Sequence, residues 1–139
     1  MTSAQSATRI NVLLVVLLAQ CAASLFHHVH NAVFLTEYPN LPAWLTPQGV
    51  YVAWLGETAI GVAGYLLFHR GYPVTGLALL GIYGLFGLYG LAHYAVASMS
   101  AHTLTMNLSI WIEVVTGVLL LATVAGLAVR RFRRNEKGN

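Results

Sequence analysis

Hydrophobic residues in this chain form long continuous runs, without the short alternation that is typical of strands. Four runs, at 11–34, 50–68, 74–97 and 104–129, are each close to the length of a membrane-spanning helix, since about 20 helical residues cross the roughly 30 Å of hydrocarbon in a bilayer. The first run is too long for a signal peptide, and it carries histidines where a small-residue cleavage site would be expected. The pattern therefore predicts an all-α polytopic membrane protein built as a bundle of four transmembrane helices.

Short polar segments separate the runs. The segment TEYPNLPAWLTPQG holds three of the four prolines and predicts an ordered loop after the first helix. HRGYP predicts a tight turn, and SMSAHTLTMN predicts a polar link before the fourth helix. No link is long enough to separate domains, so we expect one domain over 1–139 with a basic tail at 130–139.

The composition and the placement of charge support a membrane class and predict an orientation. The chain is 58% hydrophobic and 8% charged, whereas about a quarter of the residues of soluble domains are charged. Arg9, Arg70 and the cluster Arg130–Lys137 fall on one side of a four-span topology, and Lys and Arg are retained on the cytoplasmic side. We therefore expect both termini to be cytoplasmic, in a bacterial inner membrane. The expected partner is the lipid bilayer. Assembly into a homo-oligomer or a larger membrane complex is possible from the sequence, and nothing indicates nucleic-acid binding.

Ionisable residues interrupt the apolar runs at one common depth. They are His27, His28 and His30 in LFHHVHNAVF, Glu57 in WLGETAIGV, His93 in GLAHYAV and Glu113 in IWIEVVTGV. All six fall in the predicted outer half of the bilayer, where an ionisable group is costly and normally has a partner or a water-filled cavity. Helical spacing places two sets of residues on one face each. These are Gln20, Ser24, His27 and Asn31 in the first run, and Met106, Ser109, Glu113 and Gly117 in the fourth.

Imidazoles and carboxylates at one depth predict a transition-metal site, because helical bundles commonly build such sites from facing helices. Two nearby buried carboxylates repel each other when ionised, so a proton or a cation must lie between them. The predicted ligands are His27, His30, Glu57, His93 and Glu113, for Fe, Cu, Zn or Mn. We expect a smaller contribution from His28, which is rotated about 100° from His27. We interpret His102 as a solvated loop residue, with a place at the mouth of the site as the alternative. The function indicated is metal handling or a small metal-dependent redox reaction, and whether the protein is an enzyme stays open.

Two alternative functions and one weak repeat stay open. A haem b cytochrome would use His27 or His28 with His93 as axial ligands, although a haem needs no buried acids. A proton-coupled carrier or subunit would use Glu57 and Glu113. LFHHV resembles LAHYA and ETAIGV resembles EVVTGV, which is consistent with two repeated helical hairpins related by an axis along the membrane normal.

Overall fold

The computed structural model describes the backbone of residues 3–136 and the side chains of 12–134 and 136, and all regular structure in this range is helical. The α-helices are α1 (Ser3–Val33), α2 (Pro47–His69), α3 (Pro73–Tyr89), α4 (His93–Val96) and α5 (Leu104–Glu136). Two short 3₁₀ turns lie at Gly90–Ala92 and Met99–Ala101. Of the basic residues used for the predicted orientation, Lys137 and the side chain of Arg9 lie outside the described residues.

Four helical segments are long and apolar enough to cross a membrane, namely Val12–Val33, Pro47–His69, Pro73–Val96 and Leu104–Arg134. Large apolar side chains such as Val15, Leu55 and Leu85 point away from the bundle and are exposed, as lipid-facing residues would be. The prediction of an all-helical protein with four candidate spans is therefore confirmed. The repeated hairpins stay a prediction.

The third span is interrupted, although its sequence predicts one helix over 74–97. The α-helix ends at Tyr89, passes through the 3₁₀ turn and resumes only for the single turn of α4 before Ala97 becomes extended. Gly81, Gly84, Gly87 and Gly90 lower the helix propensity of this segment. The α-helical geometry is therefore lost next to His93, one of the polar residues of this span.

Two other boundaries differ from those predicted. α2 begins at Pro47 rather than near residue 50, because the Thr46 side chain accepts a hydrogen bond from the Gly49 amide and Pro47 fits the first helical turn. α5 continues through the described part of the basic tail to Glu136. Arginine is a good helix former, and positive charge is favourable at a helix C-terminus.

The apolar core lies at the end of the bundle that carries the two termini. Helix α3 packs on α2 and α5, while α1 packs mainly on α5 and α2. The core is formed by side chains from α1, α3 and α5, namely Leu13, Leu17, Leu80, Tyr83 and Leu120. Polar side chains replace this packing toward the opposite end, which we call the distal end.

Glycines allow backbone contact between α2 and α3 in the core half of the bundle. A Cβ on Gly76 would lie 2.5 Å from the Phe68 nitrogen and 2.7 Å from the Gly64 carbonyl oxygen. Small residues allow helices to approach this closely in lipid. At the distal end the same two helices instead line a cavity, through Val50 and Glu57 on α2 and Tyr89 on α3.

Candidate functional site

A cavity of about 320 Å³ occupies the distal end of the bundle. Its polar lining comes from four segments of the fold: His27, His28 and Asn31 on α1, Glu57 on α2, His93 on α4 and Glu113 on α5. Residues of the α1–α2 loop, including Trp44, complete the wall. The volume lies near the lower end of the range for small-molecule sites, roughly 300–1,000 Å³.

The polar faces of α1 and α5 are turned inward, as their spacing predicts. Gln20, Ser24 and His27 on α1 are buried, and Asn31 is 9% exposed. On α5, Ser109 is buried and Glu113 is 2% exposed. Because α1 packs against α5, these inward faces bring His27 and Glu113 together, with their nearest nitrogen and oxygen 3.7 Å apart.

Hydrogen bonds determine which nitrogen of His27 carries the proton. The Ser109 hydroxyl donates to the Met106 carbonyl at 2.8 Å, so the His27 Nδ1–H donates to the Ser109 oxygen at 3.2 Å. The Asn31 amide nitrogen then donates to His27 Nε2 at 3.0 Å. The lone pair of His27 Nε2 is therefore engaged by Asn31, and Glu113 Oε2 lies 3.7 Å from the same nitrogen.

His28 is more central than the sequence predicts. Its Nδ1–H donates to the Ser24 carbonyl at 2.9 Å, which leaves a lone pair on Nε2. That Nε2 lies 3.8 Å from Glu57 Oε2, and the same ring lies 3.9 Å from Glu113 Oε1. The rotation of His28 away from His27 directs it toward α2 and not to lipid, because α1 packs against both α2 and α5.

The predicted ligand set is split, because the structure does not bring His30 to the cavity wall. His30 Nδ1 lies 2.9 Å from the Tyr38 hydroxyl, and its ring packs against Phe34 with centroids 4.7 Å apart. The other four predicted ligands, His27, Glu57, His93 and Glu113, all line the cavity. His28, which was expected to contribute less, also lines the cavity.

Two further residues of this region, His102 and Tyr38, were not among the predicted ligands. His102, interpreted as a solvated loop residue, is 6% exposed, and its Nδ1–H donates to the Ser98 carbonyl at 2.9 Å. Tyr38 lies between the rings of His30, His93 and His102. Burial raises the pKa of the Tyr38 hydroxyl above its ordinary value. Both residues lie outside the long helices, so their place beside the site depends on how the loops fold against the bundle.

The cavity is acidic in composition. Glu57 and Glu113 line it, and among the described residues no Lys or Arg does. The side chain of Glu57 is 21% exposed, whereas that of Glu113 is almost fully buried. Because ionised carboxylates are costly to bury without a partner, this lining favours protons or a bound cation at the site.

The two predicted cofactors, a transition-metal ion and haem b, make different demands on this geometry. Among the described side chains, no group of three or more His, Cys, Asp or Glu residues is arranged to hold a metal ion. For haem, the rings of His27 and His93 are in edge contact with centroids 5.4 Å apart, and Asn31 approaches the Nε2 atoms of both. This contact leaves no gap for a planar macrocycle between the two rings.

The fold and the site together define a class: a helical protein with four candidate membrane spans and a cavity lined by histidines and glutamates. Comparisons with protein families, curated proteins and solved structures find no match for this chain.

Proposed function

We propose that the distal cavity binds a divalent transition-metal ion between His27, His28, Glu57 and Glu113, with His93 beside them. The protein would then act in metal handling or in a small metal-dependent redox reaction at the outer side of a bacterial inner membrane, with both termini cytoplasmic. Metal identity among Fe, Cu, Zn and Mn stays open.

The observation that carries this proposal is the opposition of hydrogen-bond acceptors. His28 donates through Nδ1 to Ser24, so its Nε2 lone pair faces the Glu57 carboxylate at 3.8 Å. His27 Nε2 lies 3.7 Å from Glu113 Oε2, but its lone pair accepts from Asn31, so it would have to turn from Asn31 to bind an ion. Two acceptors that face each other repel unless a proton or a cation lies between them.

The distances suit an ion better than a direct hydrogen bond. Nitrogen–oxygen hydrogen bonds are about 2.7–3.2 Å long, shorter than the separations of 3.7 and 3.8 Å here. Two ligand atoms that each lie about 2.0–2.2 Å from one ion are at most roughly 4.4 Å apart. Each His–Glu pair therefore has the spacing to share an ion. Rotation of the partly exposed Glu57 side chain would be needed to bring a third ligand to the same point.

Both histidines make a further hydrogen bond, through their other ring nitrogen, that would support metal binding. Metal-binding histidines usually donate their other ring N–H to a carbonyl or another acceptor, which fixes the ring and its tautomer. His28 has this bond to the Ser24 carbonyl, and His27 has it to Ser109. Outer contacts of this kind are typically worth 10–100-fold in metal affinity.

Proton exchange is the second candidate, and it is supported by a row of histidine side chains that leads from Glu113 toward the distal end. His27 lies beside Glu113, His93 contacts His27, and His102 lies beyond His93 with ring centroids 6.0 Å apart. Histidines titrate near neutral pH in water, and buried acids often take part in proton relays. This candidate needs no metal, so the same experiment separates it from the leading proposal.

The test is the metal content of detergent-purified protein, together with its visible absorption spectrum. We expect bound metal without a Soret band. A Glu57→Gln/Glu113→Gln double variant should lose metal at least tenfold, because it removes both charged ligands. Matched controls are Glu37→Gln in the exposed part of the loop and His69→Gln at the opposite end of the bundle, and both should retain metal.

The histidines refine the test. His28→Ala should lose metal and His30→Ala should keep it, because only the former lies beside both glutamates. Unchanged metal content in a folded double Gln variant would refute the metal proposal and leave proton exchange ahead. A Soret band would instead support the haem alternative.

A further inference from the structure

Helix α5 is longer than a bilayer requires. It has 33 residues, from Leu104 to Glu136, which is about 50 Å of helix at 1.5 Å per residue. A bilayer is about 40–45 Å thick with its headgroups, of which about 30 Å is hydrocarbon. Measured from Leu104 at the distal end, Arg130 lies about 39 Å along the helix. The C-terminal turns of α5 therefore lie at the depth of the lipid headgroups on the opposite side.

These turns carry a dense group of positive charges. Four arginines, which we call the basic extension, are all exposed: Arg130, Arg131, Arg133 and Arg134. At about 100° per residue they fall within an arc of roughly 160° around the helix axis. No acidic residue lies between Glu113 and Glu136 in the chain. The basic extension is therefore one continuous positive side of the helix.

An apolar side lies next to the positive one. Val129 is 49% exposed and Phe132 is 67% exposed, and both fall outside the arc of the arginines. Val118, which is 50% exposed, continues the same apolar side into the candidate span. At the depth of the headgroups, α5 therefore presents positive charge beside a surface that faces lipid.

We propose that the basic extension binds anionic phospholipids, with the lipid phosphate against the arginines and the acyl chains beside Val129. A guanidinium group donates paired hydrogen bonds to phosphate oxygens, and clusters of four or more basic residues next to a transmembrane helix are typical of binding to anionic headgroups. A soluble phosphate compound would match the arginines alone, whereas a phospholipid matches both sides of the helix. The proposal needs membrane insertion, but it depends neither on the metal nor on the orientation of the chain.

The same helix supplies an internal control. Trp111 lies in the distal half of α5 and is 42% exposed. The nearest Lys or Arg on this helix is Arg130, about 28 Å away along the axis. A preference for anionic lipid should therefore exist around position 129 and be absent around Trp111.

The experiment measures which lipids surround two single-tryptophan proteins in vesicles. One protein keeps Trp111 and carries Trp44→Phe and Trp54→Phe. The other carries these two changes together with Trp111→Phe and Val129→Trp. The vesicles contain phosphatidylglycerol and phosphatidylcholine in equal amounts, and bromine, which quenches a nearby indole, is placed on the acyl chains of one lipid at a time. We expect phosphatidylglycerol to associate with position 129 roughly fivefold more strongly than phosphatidylcholine, and both lipids to quench Trp111 equally.

Variants of the basic extension identify the groups responsible. Replacing its four arginines by Gln should lower the preference at position 129 to about one, whereas Lys at the same four positions should keep most of it, because the charge remains. Ala125→Trp, at an exposed position one turn deeper, repeats the measurement independently of Val129→Trp.

Two outcomes would refute the proposal directly: equal quenching by both lipids at positions 125 and 129, or a preference that survives the four Gln changes. Loss of the preference when inorganic phosphate replaces chloride at constant ionic strength would assign the arginines to a soluble phosphate compound and overturn the lipid assignment. Metal content does not enter this measurement, so its result and that of the metal test are separate.

Discussion

Gly76→Ala is a sensitive test of the contact between α2 and α3. The new Cβ would lie 2.5 Å from the Phe68 nitrogen and 2.7 Å from both the Phe68 Cα and the Gly64 carbonyl oxygen. These are backbone atoms, so no side chain can rotate to make room. Ordinary contact requires at least 3.4 Å, and the helices must therefore separate by somewhat less than about 1 Å in a tightly packed interior.

The expected cost follows from two opposing effects. Overpacking of this kind typically costs about 1–3 kcal/mol, while replacing a helical glycine by alanine gains roughly 0.5–1 kcal/mol. We therefore expect a net loss of about 1–2 kcal/mol in the free energy of unfolding. Gly56→Ala in α2 is the matched control, because its Cβ would meet nothing within 4 Å, and it should be neutral or slightly stabilising.

The assay is reversible unfolding in mixed micelles, in which the fraction of sodium dodecyl sulfate is raised and helix content is followed by circular dichroism. The two variants should differ by about 2 kcal/mol when the opposing effects above are combined. Equal free energies of unfolding for Gly76→Ala and Gly56→Ala would show that α2 and α3 are not in backbone contact in the folded protein.

Two further predictions concern the loops. Because burial raises the pKa of Tyr38 above 10.0, the folded protein holds this proton more tightly than the unfolded chain, and the contribution of Tyr38 to stability should be constant below about pH 10 and fall above it. Tyr38→Phe should therefore make the alkaline loss of stability shallower when unfolding is measured at several pH values, and an identical slope in both proteins would contradict the burial of Tyr38. Cysteine introduced at Leu41 or Ala101 in a Cys21→Ala background should react with a membrane-impermeant maleimide added outside intact cells, and labelling that requires cytoplasmic access would reverse the predicted topology.

The spans and the inward faces of two helices could be predicted from the sequence because both depend on local periodicity. Gln20, Ser24, His27 and Asn31 recur at helical spacing, and all four are buried. Lipid offers no hydrogen bonds to such groups, so their common face has to turn inward. The same reasoning placed Glu113 correctly.

The composition of the site could not be predicted in full, because it depends on which helices are neighbours. His28 was assigned a minor role since it lies off the face of His27, yet α1 has α2 on one side and α5 on the other. Both faces are therefore interior, and His28 meets Glu57. His30, two residues further along, instead packs on the loop residue Tyr38, whose position no periodicity predicts.

The glycines of α3 show how one pattern can combine two roles. Packing explains Gly84 and Gly87, because an added Cβ would lie 3.3 Å from the Gly117 oxygen at Gly84 and 3.0 Å from the Gly117 Cα at Gly87. Gly90 continues the same spacing, but its Cβ would lie 3.3 Å from Glu113 Oε2 and 3.9 Å from His27 Nε2. The α-helix also ends there and becomes a 3₁₀ turn. A glycine at this position therefore lets the backbone of the third span approach the carboxylate directly, so the run that packs the bundle also shapes its cavity.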